Sequence, residues 1–205
     1  RVEGEPPHAD QRNDHGAHHG RDDEQPPAVR PVDDGGDEGI HGVMFDNKEF
    51  NREEDTPLVD GCRISKFTGD GLHFNRVWCF SVRHNMVSHN KGNGLWLQGW
   101  DGFVLDNWFS GNGEAGFGAY EINASVTMTG NRIEWNREGG IIICGGTQYN
   151  ITGNYIDRSG RNGIALLPGD KQKTGLQWTA GCETIAITGN VMYRSGKPEW
   201  GLKDE

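Results

Sequence analysis

The chain has little with which to build a compact core. Only 33% of its 205 residues are hydrophobic, and none of the apolar runs is long enough to cross a membrane. Basic charge is also short: 20 Lys and Arg stand against 30 Asp and Glu, a formal net charge of −10. Neutralising phosphates requires clustered cations, so a nucleic-acid partner is not expected. Cysteine occurs four times, at 62, 79, 144 and 182, and never as a CxxC pair. Zinc-ribbon and thioredoxin-like sites therefore have no support. Buried free thiols are expected. The chain has no initiator Met, and no signal-peptide pattern follows Arg1, so it reads as a fragment or a processed product. What it has in excess is glycine, 32 residues. That is too many for a helical protein and suits a chain of many short strands and tight turns.

Residues 1–39 contain no Leu, Ile, Met, Phe, Tyr or Trp, but hold five of the eight Pro and eleven acidic residues. Such a segment cannot bury enough apolar area to offset its ordering entropy, and it is expected to be disordered. His8, His15, His18 and His19 lie near Asp10 and Asp14 in a set able to bind a divalent ion. A solvated polar tail is the simpler reading, and no metal site is assigned there.

After Pro57 the sequence repeats. The Gly that opens an apolar run recurs at Gly71, Gly94, Gly116, Gly140 and Gly163, at intervals of 23, 22, 24 and 23. A turn Asn recurs at Asn85, Asn107, Asn131, Asn154 and Asn190, at intervals of 22, 24, 23 and 36; the last is one lap with a 13-residue insertion. Two markers in one phase define a solenoid. The apolar runs are short and alternating, without an LxxLxL pattern, which excludes a leucine-rich repeat and predicts three short strands per lap. Phe80/Val82, Val126/Met128, Tyr149/Ile151 and Ile185/Ile187 should point inward from the first run. Val87, Phe109, Ile133, Ile156 and Met192 should do so from the second. Leu72/Phe74, Leu95/Leu97, Phe117/Ala119, Ile141/Ile143 and Ile164/Leu166 should do so from the third. The turn Asn is expected to supply a left-handed backbone and a stacked side-chain ladder. A second polar column follows at Asn90, Asn112 and Asn136, continued by Ser159 and Ser195. His84 and His89, which lie in turn columns, read as structural.

The repeated Thr-Gly-Asn turn, the x-Gly-Ile/Leu opening and the lap of about 23 residues resemble the right-handed parallel β-helix of the pectate-lyase-like superfamily. The fold class is thus all-β, with a disordered segment at 1–39, a β-helix at 40–200 with an insertion at 168–183, and a tail at 201–205. No single enzyme family is matched. The NTD, DD, GHG and RIK set of polygalacturonases and the DPHD-type motif of alginate epimerases are both absent. Gly69-Asp70-Gly71 recurs as Gly92-Asn93-Gly94, so it reads as a turn.

The resemblance implies a polysaccharide lying along one sheet, here the one built from the Gly-Ile/Leu runs, and a secreted or cell-surface location. The outward residues of that sheet and its adjoining turn supply the candidates. Trp96, Gln98, Tyr120, Asn75, Arg76 and Asp170 are expected to bind substrate, by ring stacking and by bonds to hydroxyls. Asp101 and Glu121 are the candidate catalytic carboxylates, spaced for hydrolysis, with His73 as a candidate general base. Arg76 or Arg137 would neutralise an acidic sugar. The implied activity is that of a polysaccharide lyase or glycoside hydrolase. The alternative is a non-catalytic β-helix, serving as an adhesin, a phage-tail-type protein or a glycan-binding module. The competing reading of the aromatic residues is that Trp96, Trp100 and Tyr120 pack under the insertions or against missing parts of the chain. No cofactor is expected, with calcium left open.

Overall fold

A computed structural model describes residues 40–50, 55–169, 181–197 and 199. The expected disorder of 1–39, the tail at 201–205 and most of the 168–183 insertion, Asp170 included, lie outside the described residues.

Among the described residues every element is a strand. The N-terminal passes contain β1 (Val43–Asp46), β2 (Leu58–Asp60), β3 (Arg63–Ser65), β4 (Leu72–Trp78), β5 (Ser81–Arg83) and β6 (Met86–Ser88). The middle contains β7 (Leu95–Leu105), β8 (Trp108–Ser110), β9 (Ala115–Thr129) and β10 (Arg132–Glu134). The C-terminal passes contain β11 (Gly139–Cys144), β12 (Asn150–Thr152), β13 (Tyr155–Asp157), β14 (Asn162–Leu167), β15 (Ala186–Thr188) and β16 (Val191–Tyr193). Neighbouring strands pair in parallel, one lap over the next, as a β-solenoid.

The expected three strands per lap appear with one change. β7 and β9 run straight through the corner between the third run and the following first run, so those runs share one ten-stranded sheet. The corner there is a single left-handed residue, Asp101 or Ser125, with pairing resumed on either side of it. The second runs form a separate six-stranded sheet, β16-β13-β10-β8-β6-β3.

Register stacks like on like. Leu72, Leu95, Phe117, Ile141 and Ile164 form one inward column, and Ile64, Val87, Phe109, Ile133, Ile156 and Met192 another. The residues expected inward are buried in every lap but the last. There Leu166, Ile187 and Met192 keep the inward register yet are exposed, because no described lap lies over them.

The opening glycines have a packing cause. A Cβ added at Gly71, Gly94, Gly116 or Gly140 would come within 2.3–2.8 Å of Val87, Phe109, Ile133 or Ile156, the core residues of the second sheet. Only a bare backbone can pass that point.

The turn Asn side chains form the expected ladder. Each amide Nδ2 of Asn85, Asn107, Asn131 and Asn154 donates to the Oδ1 of the next Asn at 2.9–3.0 Å. The same oxygen accepts the backbone N–H of the residue one lap back. A second ladder joins Asn90, Asn112 and Asn136. The backbone role expected for the turn Asn is corrected, however. The left-handed residue is the one before it, His84, Asp106, Gly130, Gly153 and Gly189, as Gly61 is before Cys62 in the same column. Asn occupies its column because its amide satisfies buried donors and acceptors, which are costly to leave unpaired.

None of the four cysteines is in a disulfide. Cys62 is buried as expected, but Cys79, Cys144 and Cys182 are only half-buried, because they lie at corners or on the outer face.

Candidate functional site

His73 of β4 projects from the outer face of the large sheet, in register with Met44 and Trp96. Its ring stacks on Trp96, with centroids 4.3 Å apart and planes 8° from parallel, and meets His41 at 4.4 Å with the planes tilted by 32°. Tyr120 continues the row, 6.0 Å from Trp96. The residue in register with Trp96 is Gly118, not Tyr120. A Cβ at Gly118 would lie 2.6 Å from the Tyr120 ring, so this glycine makes room for the phenol to fold back into the column. Trp96 therefore has His73 against it on one lap and Tyr120 on the other.

Polar groups beside this row are joined in one network centred on Asp70. Asp70 is buried, at 7% exposure, in the turn that opens β4. Its Oδ2 lies 2.8 Å from His73 Nδ1. Its Oδ1 accepts from both the backbone N–H and the side-chain amide of Asn93, at 2.7 and 3.0 Å. Burial alone would raise this carboxyl, but the hydrogen bonds from His73 and Asn93 and the charge on His73 hold it below its ordinary value. Asp70 is thus an anion, and His73 Nδ1 carries the bonded proton. In the neutral form of the ring the lone pair is on Nε2, the arrangement a general base requires. His41 is placed differently. The Asp70 N–H donates to its Nδ1 at 3.0 Å, and burial, followed by His73, lowers its pKa.

From Asn93 the network continues in two directions. Its Nδ2 donates to Glu114 Oε2 at 2.6 Å, and its Oδ1 accepts from the Tyr120 hydroxyl at 3.2 Å. Burial and then the negative charge of Asp70 raise the Glu114 carboxyl. Burial and then Glu114 raise the Tyr120 phenol above its ordinary range, so it stays protonated. One amide thus links a depressed carboxylate to a raised one, the separation by which acid and base roles are set. An opening of about 500 Å³ flanks Tyr120 and Glu114, and Lys91 and Arg137 line it.

The other candidates divide between this face and the next corner. Asn75 and Gln98 lie in register one position along from His73 and Trp96 on the same outer face. Asn75 donates to Asp46 at 2.6 Å and Gln98 to Glu121 at 2.5 Å, which makes a polar row beside the aromatic one. Arg76 is the extra residue of a bulge, with φ of 56°, and is tied to the backbone carbonyl of Asn47 at 3.1 Å. Asp101 is the corner residue itself. It accepts from Trp78 Nε1 at 2.6 Å and lines a separate opening with Trp100. Trp100 stacks on Phe50 of the Lys48–Pro57 expansion at 4.1 Å.

Sequence reasoning passed over Asp70, Asn93 and Glu114. The repeat of Gly-Asp-Gly as Gly-Asn-Gly marked a turn and concealed a charged member of it. The signal was there in Asp70 itself, an acid where the next lap has an amide, three residues before a histidine.

His41, Asp70 and His73 bring ligand-type atoms within 4.8 Å of one another. Two imidazoles and one carboxylate suit a d-block ion and not calcium, which takes about six to eight oxygens. The Asp70 N–H already occupies His41 Nδ1, and Asp70 Oδ2 is bonded to His73 Nδ1. This arrangement is a hydrogen-bonded relay.

No curated protein matches the chain. Similar solved structures include three engineered variants of the periplasmic alginate epimerase AlgG. The first has a TM-score of 0.54 at 15% identity, over 68% of this chain and 40% of that one. The other two score 0.52 and 0.53, at 15% and 17% identity, each over 39% of its own length. The chain thus spans well under half of those proteins, and at such identity the likeness is one of fold. Among the described residues no helix is long and apolar enough to cross a membrane. The family model for the right-handed beta helix region matches residues 50–192, and the chain belongs to that family.

Proposed function

We propose that the chain acts on a polysaccharide containing uronic acid, along the outer face of the large sheet, by abstracting a proton. The observation that carries this reading is the continuous network from His73 through Asp70 and Asn93 to Tyr120. His73 Nε2 takes the proton from the carbon beside the sugar carboxylate. Lys91 and Arg137 face the opening in which that carboxylate would sit, and they offset the charge that develops on it. In a lyase the electrons of the broken C–H bond form a carbon–carbon double bond. The glycosidic oxygen then departs with the proton of Tyr120. In an epimerase the same carbon is reprotonated from its other face. Glu121, Gln98 and Asn75 bind hydroxyls of the neighbouring sugar.

Hydrolysis is favoured less. It needs two carboxylates facing one bond, and Asp101, at a corner, and Glu121, on the outer face, are engaged by different partners. A location outside the cytoplasm accords with this substrate and with the periplasmic location of the similar epimerase.

The test is incubation with polyuronates and neutral polysaccharides. The absorbance of unsaturated ends reads elimination, and proton NMR reads epimerisation. Polyuronate turnover that disappears in His73→Ala supports the proposal. Binding without turnover supports the glycan-binding module instead.

A further inference from the structure

A second opening, of about 440 Å³, lies at the corner between the two parts of the large sheet, apart from the network centred on Asp70. Its origin is a step in a stacked column. Register places Trp78, Trp100, Ala124 and Thr147 over one another in successive laps. Two indoles are followed by a methyl group, and laps repeat at about 4.8 Å. A hollow with an aromatic wall is left above Ala124. Phe50 covers one face of Trp100. Trp78 is held by the bond from its Nε1 to Asp101.

From this geometry we infer a glycan-binding subsite for a neutral pyranose. The volume falls within the range of ligand pockets, about 300–1,000 Å³. An indole wall suits the apolar face of a sugar ring. Asp101, Gln148 and Glu183 supply acceptors and an amide for hydroxyls at the rim. The Gln148 carbonyl is occupied by Ser125 at 2.9 Å, so its NH₂ is directed to other partners. The two carboxylates, with no Lys or Arg among the described lining residues, disfavour uronate, sulfate or phosphate here. The opening beside Tyr120 differs in having Lys91 and Arg137 in its lining, and the inference stands independently of the proposed chemistry at His73.

The test is isothermal titration calorimetry of the full chain with cellohexaose, mannohexaose, xylohexaose and hexagalacturonate. Ala124→Trp continues the indole column and fills the hollow, and Gln148→Ala removes one polar contact on an exposed corner. At least one neutral hexasaccharide should bind. Affinity should fall about tenfold or more in Ala124→Trp, as expected on losing a stacking partner. It should fall by a smaller factor in Gln148→Ala and be unchanged in His73→Ala. Circular dichroism and the melting profile check that Ala124→Trp is folded, and Gln148→Ala keeps the test decisive if it is not. The inference is overturned if no neutral hexasaccharide binds, if Gln148→Ala and a folded Ala124→Trp bind like the wild type, or if hexagalacturonate competes equally for this hollow.

Discussion

Asn131 shows how much one side chain does in this fold. Its Oδ1 accepts from both the backbone and the side chain of Asn107, and its Nδ2 donates to Asn154 and to the Val104 carbonyl. Asn131→Ala leaves buried donors on Asn107 without an acceptor, and unsatisfied groups cost about 1–3 kcal/mol each. Urea denaturation should show a loss of about 2–5 kcal/mol, larger than for Asn190→Ala in the exposed last lap. The ladder was legible in the sequence because stacking identical amides requires strict phase, and phase survives as a spacing. The Asp70 network was not, because its members differ from lap to lap and only side-chain geometry joins them. His41 belongs to that network, and its lowered pKa has a consequence for stability. A depressed folded pKa means stability that is full above the unfolded value, about 6.5, and is lost as pH falls through the lower folded value. Denaturation between neutral pH and pH 5 should therefore show the wild type losing more stability than His41→Gln. Equal slopes would remove His41 from the account.

At the scale of the element, the corners are built alike. Each of three corner columns carries a left-handed residue, such as Thr56, Cys79, Asp101, Ser125, Gln148 and Thr184 in the one after the third run. Glycine fills such a position only in some laps, which is why these corners were hard to place from composition. Gly153 isolates the conformational cost, since its φ is 67° and an added Cβ would meet nothing within 4 Å. Gly153→Ala should destabilise by about 1 kcal/mol, the price of the backbone alone. Gly102→Ala is a different matter, because its Cβ would meet Phe80 at 2.0 Å. That substitution should cost more, about 1–3 kcal/mol from overpacking. Comparable melting shifts for the two would contradict the assigned packing. The inward columns were predictable because alternation has a period of two. The fusion of two runs in β7 and β9 was not, since it depends on pairing that continues past a single residue.

At the scale of the whole molecule, stability is a sum over stacked laps, each touching only its neighbours. The middle laps bury their inward residues completely, and regularity there marks scaffold. β11 illustrates this: Ile141, Ile142 and Ile143 carry no polar equipment on its outer face, whereas the laps of β4, β7 and β9 carry His73, Gln98 and Tyr120. That contrast was legible from the sequence. Which of the polar residues cooperate was not. The account stands or falls on whether His73 is the base. The most direct measurement is the initial rate on a polyuronate, read by absorbance and by NMR, for the wild type, His73→Ala and Glu121→Gln. The account predicts polyuronate turnover by the wild type, a loss of about 10²-fold or more in His73→Ala with an unchanged melting profile, and a smaller effect in Glu121→Gln. Full activity in folded His73→Ala, or no turnover of any polyuronate by the wild type, would contradict it.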